Sequence, residues 1–402
     1  MTSVAHVITR MIIGGAQENT LFSVLGLAQL PDYRPFLVTG TETGSEGNLL
    51  EGREGDLEVV YVPSLVRHIH PRSDARAAAD LYRLFKRTRP DIVHTHSSKA
   101  GVLGRIAARA ANVPVVVHTL HSLVYHDYQR PAVNLSYRMI KKTLTPLTSH
   151  YASVSDNIRE RAIAARIGSA DRHSTIRSGF LTDDFIAQLV PRAEAAARFG
   201  LPTDRVIIGS VARLFPLKGH TEILAAARRV VARQPDALFV FVGGGPLLGE
   251  LERIVDDAGL KDHVHFVGRI HPEEIPLAFS AFDILVHASL REGLARVIPQ
   301  AVLAGLPVVC YDLDGSAEVV TDGVNGYLVA PRDTAALADR LGLLVADQSL
   351  RDRLGGQGRD LIRTEFSVDE MVRRLDALYR RLTAERSPGQ TRAAAVHGRT
   401  AE

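Results

Sequence analysis

The chain has 402 residues, of which 46% are hydrophobic and 23% charged, and its formal net charge is +3. That length exceeds one ordinary core and fits two domains, while the balance of charged and apolar residues excludes a disordered chain and leaves no footprint for nucleic acid. Cys310 is the only cysteine, so no internal disulfide forms, and no apolar run approaches a membrane span; a cytoplasmic protein is expected.

In chain order, apolar runs at 4–8, 36–39, 57–62, 92–94, 115–118 and 151–154 alternate with segments of helical spacing. Short runs buried on both faces, with helices between them, predict a parallel sheet wound in βα units. Gly14-Gly15 closes the first strand and opens a helix over 16–30, where side chains would keep a ligand from the backbone; a glycine pair there also serves a plain tight turn. Ten of the 16 histidines fall within residues 1–190. Alternation puts His94 and His96 on one face of a strand end, as it does His263 and His265 later, but neither pair is completed to a metal set by a spaced carboxylate or a third histidine. His121 follows the run 115–118 on a loop. The segment 133–147 mixes Leu135, Met139, Ile140 and Leu144 with Arg138, Lys141 and Lys142, which reads either as a packed domain helix or as a helix lying on an anionic membrane.

The interval 180–203 has no strand run and contains Pro191 and Pro202, so the division between domains is placed there. Runs at 206–211, 238–242, 264–267, 284–287 and 308–311 then repeat the pattern. The fold class is therefore α/β, with two doubly wound Rossmann-like domains at 1–190 and 200–365. Arg213 and Lys218 flank the turn after 206–211, before a helix beginning near 220. Two cations converging on a helix N-terminus suit a diphosphate, the plain alternative being a pair of solvated surface cations. Gly243-Gly244-Gly245-Pro246 stands at the equivalent turn after 238–242. Between 284–287 and 308–311 lies Arg291-Glu292-Gly293, with helical spacing from 294 to 304. Glu292 is thereby expected at a helix N-terminus, its carboxylate open to sugar hydroxyls and the N–H groups of Gly293 and Leu294 to a phosphate. Asp312-Leu313-Asp314 reads as an acidic turn rather than a metal motif. Residues 367–370 form a capping box, and Met371, Val372, Leu375, Leu378, Tyr379 and Leu382 give the helix over 367–385 one apolar face. The tail 386–402 has no apolar periodicity and is expected to be disordered.

Over residues 4–385 these segments resemble, in order, the family-4 retaining glycosyltransferases. The donor loop of that family reads Glu-Gly-Phe-Gly, with a second Glu seven intervening residues after the first. Glu292-Gly293 match it, Leu294-Ala295 replace Phe-Gly, and Gln300 stands in place of the second acid. Gly14-Gly15-Ala16-Gln17 is similar to the family's N-terminal glycine loop and His118-Thr119-Leu120-His121 to its histidine turn. Arg213 and Lys218 with their neighbours are similar to its diphosphate clamp, and 241–246 to its Gly-rich turn.

The resemblance implies a GT-B arrangement, two Rossmann-like domains facing across a cleft with the last helix crossing back to the first. It implies a nucleoside-diphosphate sugar donor in the second domain, UDP-linked in preference to GDP-linked, and a sugar or lipid-linked acceptor chiefly in the first. It also implies transfer with retention and with neither metal nor cofactor. His121 would contact the donor sugar, Gly243 and Gly244 would adjoin the nucleotide, Arg269 and Ile270 would line the base, and Gln300 would face the ribose. The run 91–101 resembles members that assemble cell-surface polysaccharides or lipid-linked glycans, which would bring the protein to the inner face of a membrane. The rival readings are a nucleotide-sugar 2-epimerase on the same plan and a non-catalytic nucleotide-sugar binder.

Overall fold

The computed structural model describes residues 1–41, 47–53 and 55–386; the tail for which disorder is expected lies outside the described residues. The chain forms two units, one of residues 1–180 with 368 onward, the other of residues 181–367. Segment 181–205 is tied into the second unit by the Arg363–Asp183 and Arg192–Asp283 ion pairs, 2.6 and 2.7 Å long.

Among the described residues of the first unit, seven parallel strands form one sheet: β1 (Thr2–Ile8), β2 (Tyr33–Thr39), β3 (Val59–Tyr61), β4 (Ile92–Thr95), β5 (Val115–Leu120), β6 (His150–Ser153) and β7 (His173–Thr175). Their order is β3-β2-β1-β4-β5-β6-β7. β4 and β5 are buried along their whole length, as strands covered by helices on both faces must be. One face packs Ala5, Val7, Val93 and Val116 against Leu81, Phe85 and Ala107. The opposite face packs Val4, Ile92, Val115 and Val117 against Met371, Leu375, Leu378 and Tyr379 of the last helix, Val368–Arg386. The apolar stripe read from the sequence is thus the stripe that is buried, and it docks on the first unit.

In the second unit the strands are β8 (Val206–Val211), β9 (Ala237–Val242), β10 (Val264–Gly268), β11 (Ile284–His287), β12 (Val308–Tyr311) and β13 (Gly326–Val329), ordered β10-β9-β8-β11-β12-β13 and all parallel. Cys310 is fully buried, and burial pushes its thiol up to about 12, so it behaves as a small apolar side chain.

The segment 133–147, open to two readings in the sequence, forms the helix Pro131–Thr143 with most of its apolar residues outward. Leu135, Met139 and Ile140 are 61%, 53% and 46% exposed, whereas Lys141 is buried, with its ammonium held down to about 7 by burial and by Arg105. The inward side is mixed: Val133, Asn134 and Tyr137 are half-buried, Lys141 and the following Leu144 are buried, and the buried Arg105 guanidinium donates to the Thr148 hydroxyl. Among the described residues no helix is long and apolar enough to cross a membrane.

Candidate active site

Four loops of the second unit leave the carboxyl ends of β8, β9, β11 and β12, and β8 and β11 are neighbours where the strand order turns back. Open α/β sheets take ligands at such a point. The loop after β8 opens the helix His220–Val231. It is pinned to the loop after β11, because the Leu290 N–H and the Ser289 hydroxyl both donate to the Leu217 carbonyl, at 2.8 and 3.1 Å, which holds Leu217 in the left-handed region at φ 67°. Gly219 has φ 77°, and a Cβ there would collide with the Ala288 carbonyl, so only glycine fits. Gly243, at φ 142°, likewise leaves no room for a Cβ beside the Ala212 carbonyl. The glycine turn is thereby pressed onto the backbone carrying Arg213, and the Leu214 N–H donates to the Gly244 carbonyl at 3.0 Å. Arg213 is exposed, its guanidinium 5.0 Å from the centre of the Phe215 ring. Arg269, also exposed, lies beside Gly244, and half-buried Ile270 follows it.

Lys218 and Glu292, 74 residues apart in sequence, meet in this loop cluster. The ammonium donates to Glu292 Oε1 at 2.5 Å, and each side chain is 22% exposed. His287 Nε2, at the end of β11, lies 3.5 Å from the same oxygen. Burial pushes the Glu292 carboxyl up, but Lys218 and His287 outweigh it and hold it well below the usual carboxylate range. Its backbone is fixed as well, since the Glu292 N–H donates to Asp314 Oδ2 at 2.6 Å. His287 and Asp314 were not among the expected site residues; both needed the fold to bring them to Glu292.

Glu292 does not sit at a helix N-terminus as expected. The helix is Val297–Ala304, and Glu292, Gly293 and Leu294 belong to the loop before it. Proline explains the shift. A helix starting at 294 would require the residue at 299 to donate to the Ala295 carbonyl, and Pro299 has no N–H; placed in the first turn it is tolerated. Gln300 is half-buried on this helix, its N–H donating to the Arg296 carbonyl at 3.1 Å.

The remaining expected residues belong to the first unit. Gly14 precedes the helix Gly15–Ala28 in an extended conformation, and a Cβ there would meet only the flexible Gln17 amide, so the backbone does not demand glycine. His121 lies one residue past β5, half-buried, and burial holds its imidazole down to about 4. It is not isolated. His6 pairs directly with His94 across β1 and β4, and the two-residue period of strands puts His96, Thr119 and His121 on the same face. Ligating atoms of His6, His94 and His96 lie within 4.8 Å of one another, so the third histidine that spacing did not reveal is His6. All three are buried. Each of their ring nitrogens already faces a hydrogen-bond partner, which a metal ion would have to displace. His263, the other candidate, bonds Arg205 at 2.6 Å.

Residues 22–179 match the glycosyl transferase 4-like domain family, and residues 191–361 match the glycosyl transferases group 1 family. The chain is 29% identical over 337 residues to the UDP-Gal:alpha-D-GlcNAc-diphosphoundecaprenol alpha-1,3-galactosyltransferase of Escherichia coli, covering 83% of this chain and 86% of that one. It is 30% identical over 317 residues to the 2-deoxystreptamine glucosyltransferase of Streptomyces kanamyceticus, covering 73% and 78%. In structure it resembles HepE of Anabaena, solved in complex with UDP and glucose, with a TM-score of 0.81 and 20% identity over 94% of this chain and 99% of that one.

Proposed function

The chain belongs to the family-4 glycosyltransferases of GT-B fold, and from that premise we propose that it is a retaining enzyme. It moves a sugar from a nucleoside diphosphate, UDP in preference to GDP, to a hydroxyl of a sugar or lipid-linked acceptor in glycan assembly. The observation that carries the donor assignment is the Lys218–Glu292 pair held beside the Arg213 loop and the glycine turn at the strand-order reversal of the second unit. Arg213 and Lys218 act on the diphosphate, Glu292 accepts from sugar hydroxyls, and Gly243, Gly244, Arg269, Ile270, Gly293 and Leu294 border the nucleotide. His121, with Gly14 and Gly15, serves the reacting end from the first unit. In the transfer, the bond from the anomeric carbon to the phosphate oxygen breaks as the acceptor oxygen bonds that carbon on the same face, and the acceptor proton passes to the leaving phosphate. No protein nucleophile is needed, and catalysis comes from positioning and fixed charge.

Titration calorimetry with uridine, guanosine, adenosine and thymidine diphosphates, followed by product analysis with the sugar of the preferred nucleotide, tests this reading. A 2-epimer of the donor without glycoside product, or tight binding without turnover over a set of polyprenyl-linked acceptors, would overturn it.

Gln300 supplies a sharper test. An ionised carboxylate offers two acceptor oxygens and charge-assisted bonds to a ribose, whereas an amide offers one acceptor and an NH2 donor. Gln300→Glu is expected to lower the donor nucleotide's Kd several-fold and Gln300→Ala to raise it. Equal affinities of Gln300→Ala and the parent for the nucleotide and its 2′-deoxy form would remove Gln300 from the ribose.

The exposed row Leu135, Met139 and Ile140, with Arg130 and Lys142 exposed beside it, supports peripheral contact with an anionic membrane. Flotation with vesicles containing phosphatidylglycerol is expected to carry the protein, and Arg130→Glu with Lys142→Glu to release it. Lys141, being buried, is not part of this surface. Flotation insensitive both to lipid charge and to these substitutions would reject the electrostatic contact.

A further inference from the structure

One chain of hydrogen-bonding groups runs through the first unit from Thr119 to His121. Thr119 Oγ1 lies 2.6 Å from His94 Nε2, and His94 Nδ1 lies 2.5 Å from the Tyr379 hydroxyl. That hydroxyl is 3.4 Å from His6 Nε2. His6 Nδ1 is 3.1 Å from His96 Nε2, and His96 Nδ1 is 3.1 Å from His121 Nε2. His6, His96 and Tyr379 have no exposed surface, and His94 has 1%. The Nδ1 atom of His121 ends the chain and has no hydrogen-bond partner among the described residues.

Burial keeps these imidazoles neutral. It lowers His6 to about 3 and His121 to about 4, and it lowers His94 and His96 as well, with their histidine neighbours adding to the effect. A neutral imidazole has one N–H and one lone pair, so each link fixes the next. Tyr379 is fully buried, so its O–H must itself be bonded, and with that condition two proton arrangements satisfy every link. In one, the Tyr379 hydroxyl donates to His94 Nδ1 and accepts from His6 Nε2–H, His96 Nε2–H donates to His6, and His121 Nε2–H donates to His96. All four imidazoles then carry their proton on Nε2, and His121 Nδ1 is an acceptor. In the other, every link is reversed, all four carry it on Nδ1, and His121 presents an N–H. His94 stands between two hydroxyls, donating to one and accepting from the other; the phenol is the more acidic and is the donor, which selects the first arrangement.

We propose that Tyr379, on the C-terminal helix, acts through this relay as a positioning residue that makes His121 Nδ1 a hydrogen-bond acceptor toward a hydroxyl of the donor sugar. The inference rests on the proposed meeting of His121 with that sugar. The relay explains why four histidines share one sheet face and why a tyrosine occupies the apolar stripe of the last helix. Direction, rather than charge, is what such a chain transmits, because a buried Tyr379 O–H that must keep a partner passes a reversal on one side of it to the other.

Two-bond 1H–15N spectra of protein labelled at histidine read the protonated nitrogen directly. His6, His94, His96 and His121 are expected as Nε2–H forms in the parent. Tyr379→Phe removes the acceptor of His6 Nε2–H, and a buried orphan N–H is unfavourable, so His6, His96 and His121 are expected to change together to Nδ1–H. Thr119→Val removes the acceptor of His94 and is expected to reverse the whole chain from its other end, while Thr119→Ser keeps the parent pattern. Both reversing variants should lower kcat for sugar transfer about ten-fold, the scale for groups that orient a functional imidazole, with the Kd of the nucleoside diphosphate unchanged. Mixed tautomers in the parent, an unchanged His121 in both variants, or stoichiometric zinc in the purified protein would each overturn the relay, whatever the transfer assay shows. A reversed His121 with unaltered kcat would instead overturn the meeting of His121 with the donor, leaving the spectra to stand for the chain alone.

Discussion

Arg213→Ala and Lys218→Ala are each expected to lower kcat for sugar transfer by about 10²- to 10³-fold, or about 2.7–4 kcal/mol of barrier, the scale of removing one preorganised group from developing charge. The reasoning starts from the chemistry. As the anomeric bond breaks, negative charge grows on the leaving diphosphate, and a cation already in place stabilises it without reorganisation. The two residues differ in what else they hold. Arg213 is exposed and rests on the Phe215 ring. Lys218 is the ion partner of Glu292, so Lys218→Ala also strands a carboxylate and should destabilise the second unit. Pairing Lys218→Ala with Glu292→Gln removes the stranded charge, so the double variant should recover stability while transfer, which both residues serve, stays low. Near-normal release of nucleoside diphosphate by both single variants, under saturating donor and acceptor, would sink the diphosphate assignment.

Much of this arrangement is legible in the sequence where the determining forces are local. The central strands stand out because burial on both faces writes a continuous apolar run, as in 206–211 or 308–311. The edge strand β7 has no such run, and that of β13 is short. His173–Thr175 carries no aliphatic residue and Gly326–Val329 is half-buried at its middle, since an edge position relaxes the demand for apolar side chains on both faces. The start of the helix at Val297 turns on one proline, whose effect spacing alone does not register. The histidine relay was not legible, because His6, His94 and Thr119 become neighbours only through parallel pairing of strands far apart in sequence, and neither periodicity nor local spacing encodes that register. Lys141 shows the limit from the other side. A cation in an amphipathic pattern is read as solvent-facing, yet here the neighbouring apolar residues are the exposed ones.

Glu292→Gln is expected to weaken the second unit by about 2–3 kcal/mol at neutral pH, below the full cost of breaking a buried ion pair because both partners keep some contact with water. The dependence on pH follows from the direction of the shift. Lys218 and His287 favour the charged carboxyl and more than offset burial, so the folded protein holds it below its unfolded value. Its stabilising contribution is complete above about pH 4.3, the ordinary glutamate value, and is lost as pH falls toward the folded value. The gap between the parent and Glu292→Gln should therefore be widest at pH 7 and should narrow as the solution is acidified below that point. Because the chain has two units, one midpoint for the whole protein would blur the effect. Hydrogen exchange at the amides of β11 and β12 reports on the second unit alone, and comparing the two proteins at equal pH cancels the intrinsic dependence of exchange. A gap of the same size at pH 7 and pH 3.5 would show that the Glu292 carboxylate is not held by Lys218 and His287. The donor-site reading would then lose the ion pair on which it rests.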